Sequence, residues 1–349
     1  MARQRVAVIF GGRSGEHEVS VVSARGVLGA LDRERWEPVA IGITRNGTWL
    51  TPTESQRALD EGRRSLEGGE GGVLRSPAAL EGLASCAIAF PLVHGTYGED
   101  GTLQGFLEMA GMPYAGCGVA ASAIGMDKAL MKALFREAGI KTPLYSVIRS
   151  WDYTLHEMDV VLSIEERLGY PCFVKPANGG SSVGITRAVS REDLADAFER
   201  AFAHDDKAVA EQAVAGREVE CSVLGNEQPE ASAVGEVVPD REFYDYDSKY
   251  SAASTTELRI PAPLPAGVSD SVRELAVRMY QVMGCEGYAR VDFFVDGETV
   301  IANEINTIPG FTSISMYPKL WEASGLAYGA LLTRILELGF ERFERRSRR

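Results

Sequence analysis

The segment Arg290–Asn306, RVDFFVDGETVIANEIN, is predicted to form two strands joined by a tight turn. The pair Asp296-Gly297 between the two apolar runs is typical of a two-residue hairpin. Because side chains alternate along a strand, every second residue should face the same side of the hairpin. The residues predicted to share a face are Arg290, Asp292 and Phe294 on the first strand, and Ala302, Glu304 and Asn306 on the second.

Three side chains on this face, those of Asp292, Glu304 and Asn306, have the chemistry of a magnesium site. Two carboxylates and an amide oxygen form a hard, all-oxygen donor set, and Mg²⁺ completes its octahedron with waters and nucleotide phosphates. A solvated hairpin face is the plainer alternative, because it explains most charged strand pairs. The remaining strand positions are apolar, however, and the hairpin runs into Thr307-Ile-Pro-Gly310, which favours the metal site.

A glycine-rich segment, Val174–Gly184 (VKPANGGSSVG), follows another predicted strand. Lys175 at the strand end can reach nucleotide phosphates as a point charge. The Gly-Gly-Ser-Ser turn offers backbone N–H groups and hydroxyls to phosphate oxygens, although an ordinary Gly/Ser hairpin explains the segment equally well when it is taken alone. The chain has no GxxxxGK[ST] sequence and no GxGxxG after its first strand, so neither a Walker A loop nor a dinucleotide oxidoreductase is indicated.

Two more segments follow predicted strand ends, where open α/β sheets place ligand sites. The first, Phe10–Ser20 (FGGRSGEHEVS), opens a helix whose N-terminus favours anionic groups. Glu16 and Glu18 could equally be carboxylates that complement the helix dipole, and His17 is interpreted as structural. The second is His94–Gly101 (HGTYGEDG).

One more candidate functional segment lies in the C-terminal half of the chain. The residues EFYDYDSKY, 242–250, combine aromatic and charged side chains without clear periodicity and lead into the small-residue run SAASTT. This pattern favours a functional loop over a core strand.

The order of strand and helix patterns predicts a parallel sheet with crossover helices in the N-terminal part. The predicted strands there are 6–10, 36–44 and 86–93, and the predicted helices are 19–31 and 102–110. Segment 53–82, rich in Gly, Glu, Arg and Ser, is predicted to be a surface excursion. Beyond it we predict a helix at 128–138 and strands at 170–175, 184–189, 209–212, 218–224, 287–295 and 299–306. The arginine-rich end, 342–349, is predicted to be a frayed, solvated helix terminus.

Composition limits the classes of function. The 349 residues are 45% apolar and 24% charged, as in a globular chain of two or three domains. A net charge of -13 argues against nucleic-acid binding, and no apolar run approaches the ~18 residues of a membrane span. The five scattered cysteines indicate neither a zinc site nor a disulfide framework, so a reducing cytoplasm is the simplest setting.

Together these segments resemble the D-alanine–D-alanine ligases, a branch of the ATP-grasp superfamily. The resemblance covers nearly the whole chain, in the order GGRSGEHEVS, HGTYGEDG, MDK, VKPANGGSSVG, EFYDYDSKY, RVDFF and NEINTIPGFTSISMYPKLW. It implies an α/β chain, α+β in its C-terminal half, with an ATP-grasp fold and an N-terminal Rossmann-like parallel-sheet domain. The units would be residues 1–115 on the substrate side, 116–211 as the central ATP-grasp subdomain, and 212–349 with the metal site and closing loop.

The resemblance also implies a role for individual residues. ATP would be held by Lys128, Lys175, Ser182, Glu211, Val214, Glu218, Lys249 and Phe294, with the lysines at positions 128 and 175 on the phosphates, Glu211 and Val214 on adenine, and Glu218 on ribose. Two Mg²⁺ ions, for which Mn²⁺ could substitute, would be held by Asp292, Glu304 and Asn306. The D-alanine sites would be formed by Glu18, Ser181, Tyr250, His94, Ser315 and Met316, with Glu18 on the first ammonium group and Ser315 and Met316 on the second carboxylate. Arg290 and the Gly310 N–H would stabilise a tetrahedral oxyanion.

The activity implied is the ATP-dependent joining of two D-alanines through an acyl phosphate, by a cytoplasmic homodimer that supplies bacterial peptidoglycan synthesis. A ligase that accepts D-lactate or D-serine remains an alternative, against which Tyr250 argues. A different ATP-grasp amide ligase would leave the segments around Glu18 and Ser315 unexplained. A catalytically inactive nucleotide-binding regulator would be expected to lose the metal ligands or Arg290, all of which are present.

Overall fold

The computed structural model describes residues 3–180, 183–238, 256–312 and 314–348. Its first sheet has three parallel strands in the order β2-β1-β3. The elements of this part are β1 (Gln4–Gly11), α1 (His17–Ala30), β2 (Trp36–Ile43), α2 (Pro52–Asp60), α3 (Pro77–Ala84), β3 (Ile88–Pro91) and α4 (Thr102–Met109). The last six residues of β1 are buried, as expected for a parallel strand covered on both faces. The predicted strands and helices of this part are confirmed to within a few residues.

The segment 53–82, predicted to be a surface excursion, is mostly exposed or half-buried, but it also contains most of α2 and α3, which were not predicted. Helix α2 starts with a capping box, in which the Thr51 hydroxyl accepts a hydrogen bond from the Glu54 N–H and the Glu54 carboxylate accepts one from Thr51 N–H. Ala58 and Leu66 are 4% and 1% exposed and pack into the core of the first sheet. The polar composition conceals a few apolar residues that anchor the segment.

The central part is built on a four-stranded antiparallel sheet in the order β4-β7-β5-β6. Its elements are α5 (Val119–Met126), α6 (Lys128–Glu137), β4 (Tyr145–Arg149), α7 (Ser150–Arg167), β5 (Cys172–Pro176), β6 (Thr186–Ala188), α8 (Arg191–Phe202) and β7 (Lys207–Gln212). Asp127 caps α6, since its carboxylate accepts hydrogen bonds from the N–H groups of Ala129 and Leu130. The predicted helix and three strands are confirmed, whereas β4, α5, α7 and α8 were not predicted.

The C-terminal part has a five-stranded antiparallel sheet in the order β10-β9-β8-β11-β12. Its elements are β8 (Arg217–Leu224), β9 (Glu230–Val238), β10 (Glu257–Arg259), α9 (Ala266–Val282), β11 (Tyr288–Asp296), β12 (Thr299–Asn306), α10 (Met316–Ala323) and α11 (Tyr328–Ser347). The predicted hairpin of β11 and β12 is confirmed. The N-terminal sheet is parallel, as in α/β proteins, and the central and C-terminal sheets are antiparallel, as in α+β proteins. The predicted fold class, α/β with α+β character in the C-terminal half, is therefore confirmed.

A bulge in this hairpin corrects the predicted face of Ala302. Asp292 pairs with Glu304, but Phe293 pairs with Ala302, so Asn303 has no opposite residue. The extra residue turns Ala302 to the apolar side, where it is fully buried with Phe293. Glu304 and Asn306 keep the face predicted for them.

Helix α11 covers one face of the first sheet, although it comes last in the chain. Leu331, Ile335 and Leu336 are fully buried in the same core as Val8 and Phe90 of that sheet. The N-terminal sheet therefore shares its core with the end of the chain.

The arginine-rich end is not the frayed terminus that was predicted. Arg342 is 3% exposed, and its guanidinium donates hydrogen bonds to the carbonyls of Tyr114 and Gly116, where the first and central parts join. The neighbouring Arg346 pairs with Glu108 at 2.8 Å and Glu286 at 3.0 Å. With Arg345, which pairs with Glu227 and Glu286, the charge run binds a backbone turn and three distant acids, none of which is apparent from local sequence.

All five cysteines are buried and none is in a disulfide. Among the residues for which the structure gives positions, no helix combines the length and the apolar character needed to cross a membrane.

Candidate active site

A cavity of about 530 Å³ lies where the three parts of the chain meet. Eight of the predicted site residues line it: His94, Lys128, Arg290, Glu304, Asn306, Gly310, Ser315 and Met316. Three acidic residues without a predicted role also line it: Glu16, Glu99 and Glu220. The β11–β12 hairpin, the glycine-rich segment Val174–Gly184 and the loops that follow strands of the first sheet thus all face the same cavity.

Arg290 is held over the sheet by two acids. Its guanidinium donates two hydrogen bonds of 2.7 Å to the Asp292 carboxylate, and its Nε lies 3.0 Å from Oε2 of Glu220. Burial alone would lower the pKa of Arg290, but Asp292 and Glu220 outweigh burial and hold this pKa well above its ordinary value. A fixed positive charge therefore faces the cavity.

The predicted metal ligands lie on the same face. Asp292 pairs with Glu304 across β12 and with Glu220 across β8, and the Asn306 amide donates a 2.9 Å hydrogen bond to Asp292. That bond leaves the Asn306 carbonyl oxygen as an acceptor. Within the described residues no group of three His, Cys, Asp or Glu side chains could hold a metal alone. The two carboxylates and one amide oxygen suit a hard cation that takes its other ligands from water and a phosphate.

Lys128 connects α6 to the glycine-rich turn. Its backbone N–H donates to Ala177 O at 2.9 Å, and its ammonium group donates to Gly179 O at 2.6 Å. The side chain is thus held over the loop predicted to receive phosphates. Ser181 and Ser182 of this loop lie outside the described residues, as do Lys249 and Tyr250.

Lys175 and Glu211 do not line the cavity but lie beside it, in a buried ion triplet completed by Lys132. One oxygen of Glu211, Oε2, lies 3.1 Å from the ammonium of Lys132 and 3.3 Å from that of Lys175. The Glu211 carboxylate is thus engaged by two lysines, and the structure does not bring it to the cavity as the adenine contact predicted. Lys132 was missed because a single lysine in a helical pattern usually indicates a solvated position.

The remaining nucleotide-side residues lie where the interior strand β8 begins and its neighbour β11 ends. Glu218 and Phe294 are directly opposite each other on β8 and β11, on the same face as Arg290. Val214 is half-buried in the connection between β7 and β8. None of the three lines the cavity.

The structure brings Glu16, and not Glu18, to the cavity. The Glu18 side chain is 37% exposed and pairs with Arg45. Oε2 of Glu16 lies so close to the glycine-rich turn that an added Cβ at Gly180 would stand 2.6 Å from it. The assignment of Glu18 as a ligand of the cavity is therefore corrected. Glu16 has non-helical backbone angles ahead of α1 (φ −94°, ψ 17°), so its direction does not follow helical periodicity.

His17 is structural, as predicted. It is fully buried, its Nδ1 is 2.6 Å from Gly12 O, and its Nε2 accepts a hydrogen bond from the Leu66 N–H at 2.9 Å. Both ring nitrogens therefore bind backbone groups.

His94, which is buried, and Glu99, which is half-buried, both line the cavity near Glu16. Nδ1 of His94 lies 2.9 Å from Ile308 O and Nε2 lies 3.3 Å from the Ser23 hydroxyl. Burial lowers the pKa of His94, so the ring is neutral near pH 7. Burial, and next the charge of Glu16, raise the pKa of Glu99 to about 8.

Glu99→Gln is expected to raise the melting temperature at pH 8 by roughly 2 °C or more, with little change at pH 5. The ordinary pKa of 4.5 applies to the unfolded chain and about 8 to the folded one. Between these values the folded chain keeps a proton that the unfolded chain has lost, so the free energy of unfolding falls as pH rises. Glutamine does not titrate, so Glu99→Gln removes this pH dependence of the free energy of unfolding. Thermal melts at both pH values test this, with the exposed Glu298→Gln as control; the same Glu99→Gln difference at both pH values would contradict it.

The far wall is the N-terminus of α10. Ser315 precedes this helix, and its hydroxyl accepts a 3.0 Å hydrogen bond from the Thr312 N–H. The backbone at Gly310 lies close to this residue, because an added Cβ would stand 2.8 Å from the Ser315 hydroxyl, which would then have to move. The helix end offers backbone N–H groups to an anion.

Comparison with known proteins identifies the family. Residues 5–117 match the family model described as D-ala D-ala ligase N-terminus, and residues 134–337 match the one described as D-ala D-ala ligase C-terminus. The chain belongs to the D-alanine–D-alanine ligase family. A D-alanine–D-alanine ligase of Heliobacterium modesticaldum is 46% identical to it over 100% of this chain and 98% of the relative.

Solved structures of the family have the same fold. The D-alanine–D-alanine ligase from Coxiella burnetii superposes with a TM-score of 0.83 at 33% identity, covering 100% of this chain and 97% of that one. A D-Ala:D-Ser ligase from Enterococcus faecalis gives 0.80 at 33% identity, covering 97% and 100%. The predicted family, ATP-grasp fold and ATP-dependent ligase class are confirmed.

Within the family, the two neighbouring acids of the first loop should differ in effect. Glu16→Gln is expected to raise KM for D-alanine by roughly tenfold, because a hydrogen bond between charged groups contributes about 1.5–3 kcal/mol. Glu18→Gln should leave KM almost unchanged, since its exposed pair with Arg45 contributes about 0–1 kcal/mol. Initial rates at varied D-alanine measure both, and a larger effect of Glu18→Gln would restore the original assignment.

Proposed function

We propose that this chain joins two D-alanines into D-alanyl-D-alanine, with ATP converted into ADP and phosphate through an acyl phosphate. The observation that carries the proposal is the cavity, which has a fixed arginine and a metal-type oxygen face on one side. On its other sides lie an acid, Glu16, and the N-terminus of α10. These features suit a nucleotide phosphate, the ammonium group of a zwitterionic amino acid and a second carboxylate, respectively.

The first D-alanine would bind by its ammonium group to Glu16, beside the neutral ring of His94. Its carboxylate would then point toward Arg290, where it can receive the γ-phosphoryl group. A carboxylate is a poor electrophile, and conversion into an acyl phosphate gives it a leaving group. The enzyme contributes mainly position and charge at this step.

The nucleotide would lie between the glycine-rich turn and the β11–β12 hairpin. Lys128 and Lys175 would bind its phosphates, Val214 the adenine and Glu218 the ribose, with Phe294 beside it. Asp292, Glu304 and Asn306 would hold two Mg²⁺ ions, replaceable by Mn²⁺, which neutralise phosphate charge when bound. Ser182 and Lys249 remain proposed phosphate-side contacts from the resemblance.

The second D-alanine would bind by its carboxylate at Ser315 and Met316, where the helix N-terminus favours an anion. Its amine would attack the acyl carbon, and the tetrahedral adduct would carry a negative oxygen. Arg290 and the Gly310 N–H would stabilise that oxygen before phosphate leaves. Ser181 and Tyr250 remain proposed partners in orienting the first substrate.

We further propose the three-unit division at residues 115 and 211, a homodimeric assembly and action in the cytoplasm for peptidoglycan precursor synthesis. A loop at Lys249–Tyr250 that excludes water would protect the acyl phosphate from hydrolysis. These proposals rest on the family resemblance.

Phosphate release from ATP and Mg²⁺ tests the activity, with D-alanine, L-alanine, and D-alanine plus D-serine or D-lactate as parallel reactions. Release with D-alanine alone, together with the dipeptide mass, is the expected result. Phosphate release only when D-serine or D-lactate is added would reassign the second substrate. No product in any reaction, with ATP binding intact, would overturn the proposal.

A further inference from the structure

The buried ion triplet beside the cavity contains one lysine that the proposed mechanism does not use. Lys132 on α6, Lys175 on β5 and Glu211 on β7 have side chains that are 1%, 13% and 3% exposed. Both ammonium groups contact the same oxygen of Glu211. Lys132 is the deeper of the two lysines, whereas Lys175 follows the strand toward the glycine-rich turn.

The triplet brings two lysines to one carboxylate, and the charge of Glu304 also acts on Lys132. Burial would raise the pKa of Glu211, but the attraction of Lys132 and Lys175 outweighs burial and lowers it, so the carboxylate is ionised. Burial lowers the pKa of Lys132, and Glu211 opposes that shift. A buried charge is costly without a partner, so two lysines that share one carboxylate oxygen favour a further anion at the side where the triplet reaches Lys175.

The ion pair of Lys207 in the same sheet provides a contrast. Lys207 pairs with Asp127, and this pair has one charge of each sign. Lys132, by contrast, shares the Glu211 carboxylate with Lys175. Its ammonium group also lies 5.9 Å from the centre of the ring of Tyr145, the β4 residue that pairs with Glu211. Lys132 is therefore fixed in place by residues that do not face the cavity.

We propose that Lys132 is a positioning residue for nucleotide binding: it shares the Glu211 carboxylate and so leaves the charge of Lys175 available to a nucleotide phosphate. The inference rests on the proposed ATP site. Without Lys132, Glu211 and Lys175 would form a neutral one-to-one pair. That pair would hold the Lys175 ammonium back and weaken its attraction for phosphate.

Calorimetric titration with ATP and with ADP tests the proposal on the full chain. Lys132→Met is expected to bind both nucleotides roughly tenfold more weakly, as loss of a close charge interaction predicts, with KM for D-alanine largely unchanged. Lys132→Arg, which keeps the charge, should recover part of the affinity. Lys132→Met combined with Glu211→Gln should bind ATP more tightly than Lys132→Met alone, because Lys175 is then released from its acid.

The double variant distinguishes positioning from simple support of the fold. If Lys132 only supported the fold, removal of a second buried group would not improve binding. The proposal is overturned if Lys132→Met binds ATP as tightly as the wild type, or if the double variant binds no better than the single one. Should Lys132→Met fail to fold, Lys132→Gln takes its place, with the same expected loss of ATP affinity and the same partial recovery when Glu211→Gln is added.

Failure of the proposed function would give a different result. Wild-type protein that binds ATP but makes no dipeptide would refute D-alanine ligation and leave the role of Lys132 testable by titration. Wild-type protein that makes the dipeptide, with unchanged ATP affinity in Lys132→Met, would refute only the role of Lys132.

Discussion

Replacing Arg290 with alanine is expected to lower kcat by roughly 10²-fold or more. The variant loses the cation proposed to stabilise the tetrahedral oxyanion. It also leaves Asp292 and Glu220, which now share that guanidinium, facing each other without a positive charge. Arg290→Lys should remain strongly impaired, because an ammonium group cannot make the two parallel hydrogen bonds that the guanidinium makes. Steady-state kcat and KM for both substrates provide the measurement.

Arg217→Ala is the matched control. Arg217 also makes a two-pronged pair on the same sheet, at 2.6 and 2.8 Å from Glu236, but it does not line the cavity. Arg217→Ala should therefore leave kcat close to the wild-type value. A comparable loss in both variants would show that Arg290 acts by supporting the sheet, and an unaffected Arg290→Ala would remove Arg290 from the mechanism.

Glu304→Gln is expected to raise the Mg²⁺ concentration needed for half-maximal rate by roughly tenfold or more and to lower kcat at saturating Mg²⁺. The substitution keeps the size of the side chain and removes one of the two carboxylates in the proposed donor set. Rates measured across a Mg²⁺ titration, and repeated with Mn²⁺, show whether the loss concerns metal affinity.

Glu298→Gln on the same hairpin is the control for this experiment. Glu298 lies in the turn between β11 and β12 and is exposed, so the metal dependence of Glu298→Gln should match that of the wild type. An unchanged Mg²⁺ dependence in Glu304→Gln would contradict the proposed ligand set.

Strand alternation predicted most of the metal face from sequence, and its one failure has a local cause. Arg290, Asp292, Glu304 and Asn306 lie on the predicted face because alternation depends only on neighbouring residues. The unpaired Asn303 shifts Ala302 by one position. No residue in RVDFFVDGETVIANEIN indicates that bulge, since it depends on how the two strands pair with their neighbours.

The segment Phe10–Ser20 shows a second limit of prediction from sequence. Glu16 and Glu18 are two positions apart and chemically alike, and both precede or begin the same helix. Glu16 has non-helical backbone angles and lines the cavity, whereas Glu18 lies in the helix and pairs with Arg45. The family resemblance located the segment but not the direction of each side chain.

The ion triplet shows a third limit. Lys132 and Glu211 belong to different elements and are far apart in the chain, so neither predicts the other. A lysine in a helical pattern indicates solvent unless its partner is known. The same reasoning explains why the burial of Arg342 was missed, because its acceptors are backbone carbonyls near residue 115.

The cover that α11 provides for the first sheet has a consequence for synthesis of the chain. A ribosome makes β1, β2 and β3 first, but the apolar face against which Leu331 and Ile335 pack stays bare until translation is almost finished. The nascent sheet must therefore remain incomplete, or be shielded by another protein, for most of that time. An N-terminal fragment expressed alone should aggregate, and adding α11 as a separate peptide should rescue its solubility.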